Sequence, residues 1–141
     1  MADKVHFELV TPTELLLAED ADMVVVPGEA GDFGVLPGHA PLMSTVRPGT
    51  VEVYQGSQVA RKLFVEGGFA EVTDDRCTVL AEEAMPVAQI NRAEADTAVI
   101  RARTAVETAA DDAGRALAER QLAIAEARVA AAVTGERGGR A

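Results

Sequence analysis

The chain has 141 residues, 48% of them apolar, and carries a formal net charge of −10 at neutral pH. That length supports one compact domain, or a small domain with an appendage. The charge argues against nucleic acid and against a broad anionic membrane surface, because both demand a positive field.

A single cysteine, Cys77, excludes an internal disulfide and fits a reducing compartment. The start, "MADKVHFELV", has no long apolar stretch behind a basic cluster, so it does not read as a signal peptide. The longest apolar runs, "LLLA" and "MVVVP", fall far short of the roughly 18 residues of a membrane span. A soluble, cytoplasmic chain is expected.

From residue 4 to about 85 the pattern is one of short strands broken by turns. "KVHFELV" alternates, setting Val5, Phe7 and Leu9 on one side as a half-buried strand should. "MVVVPG" is an apolar run closed by Pro27–Gly28. "TVEVYQGSQVARKLFVEGG" predicts a hairpin turning at Gln55–Gly56–Ser57, and "FAEVTDDRCTVLAEEA" predicts another turning at Asp74–Asp75. About ten closely spaced short strands predict a flattened β-sandwich or barrel over residues 1–86. Its core is expected from Val, Leu and Phe, since Trp is absent.

The composition changes after Pro86. Ala95, Val99, Ala102, Val106 and Ala109 recur at helical spacing, as do Ala118, Leu122, Ala125, Val129 and Ala132. Asp111, Asp112 and Gly114 mark the break between the two sets. Residues 87–141 therefore predict an antiparallel two-helix hairpin with a small-residue seam and a disordered tail from about 134. At about 25 cal/mol per Å² an Ala–Ala seam contributes far less than a Leu seam, so the hairpin is expected to be held weakly.

The stretch between the strands at 27–44, "PGEAGDFGVLPGHAPLMS", attracts chemical readings that fail one by one. Glycines at 28, 31 and 34 match neither the P-loop nor the dinucleotide fingerprint, and read as turn residues. His39 and His6 lack metal-ligand spacing, so no metal site is expected, and His39 reads as a loop histidine bonded to nearby backbone. Ser44, Ser57 and Cys77 have no base near them in sequence, and Ser44 lacks the nucleophile elbow. Cys77 reads as an inert buried strand residue. Neither an active site nor a cofactor is expected.

Pro27, Pro37 and Pro41 instead fix φ at three points while the glycines permit sharp reversals. A loop ordered in advance loses little entropy on docking, which reads as a protein-binding surface. Phe33, Leu36 and Leu42 offer apolar contact and Asp32 a charge. For Leu36 and Leu42 a role as plugs in the strand core is equally open.

"VPGEAGDFGVLPGHAPLMSTVRPG", followed by "FVEGGFAEV" and "VLAEEA", resembles the epsilon subunit of the F-type ATP synthase over the whole chain. The resemblance implies a non-catalytic rotor subunit of the central stalk. Its ten-stranded sandwich would bind the gamma subunit and rest on the ring of membrane-embedded c subunits. It implies that Gly31, Asp32, Phe33 and Gly34, with His39, Ala40, Pro41 and Leu42, face the polar loops of that ring. The helical hairpin would fold back or extend toward the alpha/beta catalytic head, where it could hinder ATP hydrolysis. Basic residues of the second helix, Arg115, Arg120 and Arg128, would then face an acidic segment of beta. Pairing of Arg120 and Arg128 with Glu119 and Glu126 is equally open.

One departure stands out. Nucleotide-binding members carry I/L-D-x-x-R-A, where this chain has Ile90, Asn91, Arg92, Ala93, Glu94 and Ala95. Asparagine replaces the aspartate and glutamate the arginine, so ATP is expected to bind weakly or not at all. The resemblance also implies the cytoplasmic face of a bacterial inner membrane. A free-standing regulatory or nucleotide-sensing module is the alternative from another functional class.

Overall fold

The computed structural model describes residues 4–138. The chain divides into two compact units, residues 1–86 and 87–141. The first holds ten strands: β1 (Val5–Val10), β2 (Leu15–Ala21), β3 (Met23–Gly28), β4 (Gly31–Val35), β5 (Leu42–Val46), β6 (Gly49–Gln55), β7 (Gln58–Val65), β8 (Gly68–Val72), β9 (Arg76–Ala81) and β10 (Ala84–Pro86). They form one sheet in the order β10-β7-β6-β3-β5-β8-β9-β1-β2, with β4 paired to β3. Pairing is antiparallel except between β1 and β9.

Alternation decides the faces. Val5, Phe7 and Leu9 of β1 are fully buried, as are Val24 and Val26 of β3, Val51 and Val53 of β6, and Cys77 and Val79 of β9. The expected Val, Leu and Phe core is what the inner face holds. Burying each such side chain is worth about 1.5–3 kcal/mol.

The sheet curls until edge strand β2 meets β6 and β7 through polar contacts. The Asp22 amide donates to the Tyr54 carbonyl at 2.9 Å. Gln55 Nε2 donates to the Asp20 carbonyl at 2.7 Å, and Arg61 pairs with Glu19. The Gly56 amide donates to Asp22, whose carboxyl lies below its ordinary range through its bond to Lys4 (2.7 Å) and then this amide. Both predicted hairpins are present, β6–β7 turning at Gly56–Ser57 and β8–β9 at residues 73–75. Gly56 has φ of +66°, which glycine adopts without a Cβ clash.

The strand unit differs from expectation in two places. The stretch 27–44 is not a single loop, because Gly31–Val35 forms β4 and Leu42 opens β5. Glycines hid this strand: with hydrogen at positions 31 and 34, only Phe33 and Val35 carry its apolar signal. β2 was equally hidden, since "LLLAEDA" shows no clean alternation.

In the second unit a 3-10 turn (Val87–Gln89) precedes α1 (Arg92–Glu107) and α2 (Asp112–Gly138). Asn91 caps α1, its side-chain oxygen accepting from the Glu94 amide at 3.0 Å. Asp111 does the same for the Gly114 amide at 2.7 Å, opening α2 where the acidic break predicted it. The seam buries Ala95, Val99 and Ala102 of α1 against α2. On α2 Ala118, Ile124, Ala125, Ala131 and Ala132 are buried, while Leu122 and Val129 are half-buried. The buried face is thus turned slightly from the one the spacing predicts.

The tail expected from about 134 overlaps the end of α2. α2 continues through Gly138, and a Cβ on Gly135 would lie 2.6 Å from a Val87 methyl, so glycine lets the helix close on the 3-10 turn. Residues 139–141 lie outside those described.

Candidate protein-docking surface

The outward side chains of β5, β8, β9, β1 and β2 fall into rows set by the strand register. One row runs Thr45, Phe69, Leu80, Val10, Leu15. Phe69 is 55% exposed, Leu80 49% and Leu15 54%, with Val10 half-buried between them. Met43, at 68%, stands in the next row beside Glu71, Thr78, Glu8 and Ala18. A sheet face in water ordinarily carries polar residues at such positions. A contiguous apolar row on an otherwise well-alternated sheet is the kind of surface that serves as an interaction site.

The same face becomes charged toward the opposite strand ends. His6 Nδ1 lies 3.0 Å from Asp20 and Nε2 lies 3.4 Å from Glu8, which also accepts from Arg76 at 3.1 Å. The Asp20 bond, then Glu8, raises the His6 pKa above its ordinary value against the opposing effect of burial.

The eight residues nominated from the sequence do not form one patch. Gly31 and Asp32 sit at the β3–β4 tip, where Gly28 pairs with Gly31 and, on the other side, with Val46. His39, Ala40 and Pro41 lie beyond the other end of β5, where the Gly38 amide donates to the Asp74 carbonyl at 2.6 Å in the β8–β9 turn. β5 is five residues long, so the two groups are separated by about 13 Å along its axis. Phe33 is half-buried and packs against the core, whereas Leu36 and Leu42 are exposed. Gly34 is exposed within β4.

His39 Nδ1 donates to the Ala40 carbonyl at 2.6 Å, the backbone-bonded loop role expected of it. Ser44 Oγ donates to the Thr45 carbonyl at 3.0 Å. Burial pushes the Cys77 thiol up to about 12, so it is no ready nucleophile.

Asp32 differs most from expectation. It pairs with Arg47 Nη2 at 2.6 Å, while Arg47 Nη1 donates to the Gly28 carbonyl at 2.5 Å. Arg47 was not singled out in the sequence, because nothing in "VRPG" shows that its side chain turns back onto the tip.

On the helices, Arg115 and Arg120 are exposed and Arg128 is half-buried. Glu126 pairs across the hairpin with Arg103 of α1 at 3.6 Å. In the degenerate nucleotide run, Asn91 and Glu94 form the helix cap, Ala95 is in the seam and Ile90 is half-buried.

A curled β-sandwich with an apolar outer row, joined in sequence to an alanine-rich helical hairpin, defines a candidate protein-docking subunit. Residues 4–87 match the family described as ATP synthase, Delta/Epsilon chain, beta-sandwich domain. The chain belongs to this family, as an epsilon subunit of the F-type ATP synthase. It is 50% identical to the ATP synthase epsilon chain of Rhodospirillum rubrum over 131 residues, which is 93% of this chain and 98% of that relative.

Among solved structures it is similar to a chain of the Euglena gracilis mitochondrial ATP synthase (OSCP/F1/c-ring, rotational state 1). The TM-score is 0.81 at 27% identity, covering 92% of this chain and 81% of that one. A chain of the Tetrahymena thermophila mitochondrial ATP synthase central stalk/c-ring shares the fold, with TM-score 0.61 at 16% identity over 92% and 96% of the two chains. Among the described residues no helix is long and apolar enough to cross a membrane.

Proposed function

We propose that this chain is a non-catalytic rotor part that joins the gamma subunit to the c ring and passes torque between them. The observation that carries the reading is the outer row Leu15, Val10, Leu80 and Phe69, with Met43 beside it. Gamma covers this row, and Leu36, Leu42 and the His39–Ala40–Pro41 loop extend the contact. The Gly31–Asp32 tip, at the opposite strand ends, rests on the ring's polar loops. Their separation along β5 supports dividing the nominated residues between two partners.

Torque transfer requires a body that does not shear. The β2 closure against β6 and β7 and the valine core supply that stiffness. The complex is placed at the cytoplasmic face of a bacterial inner membrane, where this subunit is attached only through its partners.

The helical hairpin is assigned as the regulatory arm. Its alanine seam leaves a small free-energy gap between arrangements, of the size that ligand or torque can bias. Arg115, Arg120 and Arg128 are the residues it would offer to the alpha/beta head. At the start of α1 the Glu94 carboxylate and the Asn91 cap stand where phosphates would need positive charge. This member accordingly works without a bound nucleotide.

Co-expression with gamma tests the reading. A stoichiometric complex that survives gel filtration is expected. A monomer indifferent to gamma would favour a free-standing module.

A further inference from the structure

The tip carries more internal bracing than a docking loop needs to hold its shape alone. Gly28 is buried, and a Cβ there would lie 2.8 Å from the Gly31 carbonyl oxygen and 2.9 Å from the Phe33 ring. Gly31 has φ of +139°, a conformation that side chains disfavour. The turn is therefore closed as tightly as bare α-carbons allow. Arg47 then reaches over it from the end of β5. Its amide donates to the Pro27 carbonyl at 2.9 Å, while the Glu29 amide donates back to the Thr45 carbonyl at 3.0 Å. The guanidinium fork joins a β3 carbonyl, that of Gly28, to a β4 carboxylate, that of Asp32.

We propose that Arg47 is the positioning residue of this tip, and that the tip meets its partner preshaped, with the Asp32 charge already matched. The proposal rests on the reading of the tip as the ring-facing element. Its chemical consequence is specific. A partner cation reaching Asp32 would meet a carboxylate whose Oδ1 already accepts from Arg47 and whose charge is already offset. An exposed pair is worth about 0–1 kcal/mol even with an unmatched charge, so a second one here gains almost nothing. The partner surface that fits is one of uncharged polar and apolar groups, which a fixed turn can meet without further ordering. Arginine suits the task because its planar fork holds two acceptors at a set angle, which a lysine ammonium does not.

The test uses the full chain with Arg47→Ala, Arg47→Lys and Asp32→Asn. Amide hydrogen exchange at residues 29–33 is measured on the free protein, and affinity for the gamma–c-ring subcomplex is measured at low and high salt. Arg47→Ala is expected to speed exchange at the tip about tenfold, while amides of β1 and β9 are unchanged, and to weaken binding by a similar factor. Arg47→Lys should recover part of both losses. Asp32→Asn should leave affinity within about twofold and keep the wild-type salt dependence.

Weaker, salt-insensitive binding by Asp32→Asn would overturn the proposal, because Asp32 would then be pairing with a partner cation. Faster tip exchange with unchanged affinity in Arg47→Ala would also overturn it, reducing the fork to a local brace. If the unaltered chain fails to bind the subcomplex, the functional reading falls while the exchange result still reports on the clamp.

Discussion

Two neighbouring glycines, Gly67 and Gly68, allow the steric argument for the sheet to be tested as a difference. Both have positive φ, +125° and +138°, so alanine at either position costs about 1–2 kcal/mol in backbone strain. Their surroundings differ. A Cβ at Gly67 would be 3.4 Å from the Val46 carbonyl oxygen, an ordinary contact. A Cβ at Gly68 would be 1.9 Å from the Leu80 carbonyl oxygen and 3.0 Å from the Ala81 α-carbon. Relieving that overlap means forcing β8 from β9 at the Gly68–Ala81 pair, with loss of ladder hydrogen bonds worth about 1 kcal/mol each. Gly68→Ala should therefore cost about 3–5 kcal/mol and Gly67→Ala about 1–2 kcal/mol. Urea denaturation followed by fluorescence of the single tyrosine, Tyr54, reads the sheet unit. The two midpoints should separate by an amount equivalent to at least about 2 kcal/mol, or roughly thirtyfold in the folding equilibrium. Equal losses would refute the close approach of β8 to β9 and, with it, the register that turns Phe69 outward.

The raised pKa of His6, due first to its bond with Asp20, sets the sign of a pH effect. Its contribution to stability should be complete below pH 6.5 and fade as pH rises through the higher folded value. His6→Gln should flatten that part of the stability profile, and an unchanged profile would contradict the pairing. Truncation after residue 88 should leave a folded strand unit that still binds gamma. Faster ATP hydrolysis by the complex made with it would show that the arm inhibits, and failure to fold or bind would refute two separable units. Isothermal titration of the full chain with ATP should give no binding in the micromolar range, and a micromolar dissociation constant would contradict the reading of Asn91 and Glu94.

Where period and burial coincide, the fold could be read from the residues. Val5, Phe7 and Leu9 alternate and are fully buried, and Ala95, Val99 and Ala102 lie on the buried face of α1 as their spacing predicts. β4 was missed because glycine contributes no hydropathy, leaving Phe33 and Val35 as its only apolar residues. The α2 seam was misplaced by a small rotation because alanine fits both buried and exposed positions, so Ala123 and Ala125 look alike until the partner helix is present. The place of the candidate docking residues was not legible: proline and glycine predict a rigid segment, yet its division between two strand ends depends on β5 pairing with β8 from a distance in sequence. Phe69 and Leu80 went unnoticed for a similar reason. Each is an ordinary strand residue until the Phe69–Leu80 pairing and the β1–β9 register align them with Val10 and Leu15.

That aligned row is the claim on which the account most depends, and two substitutions address it directly. Phe69→Asp and Leu80→Asp place charge on exposed positions and should leave the urea midpoint of the free chain nearly unchanged. Each should weaken association with gamma by about 2–4 kcal/mol, as expected when a charge is forced into the centre of an apolar contact. Affinity for gamma measured on these two variants is the decisive quantity. Loss of binding by both, with folding intact, is the result predicted. Wild-type affinity in both would show that gamma docks elsewhere.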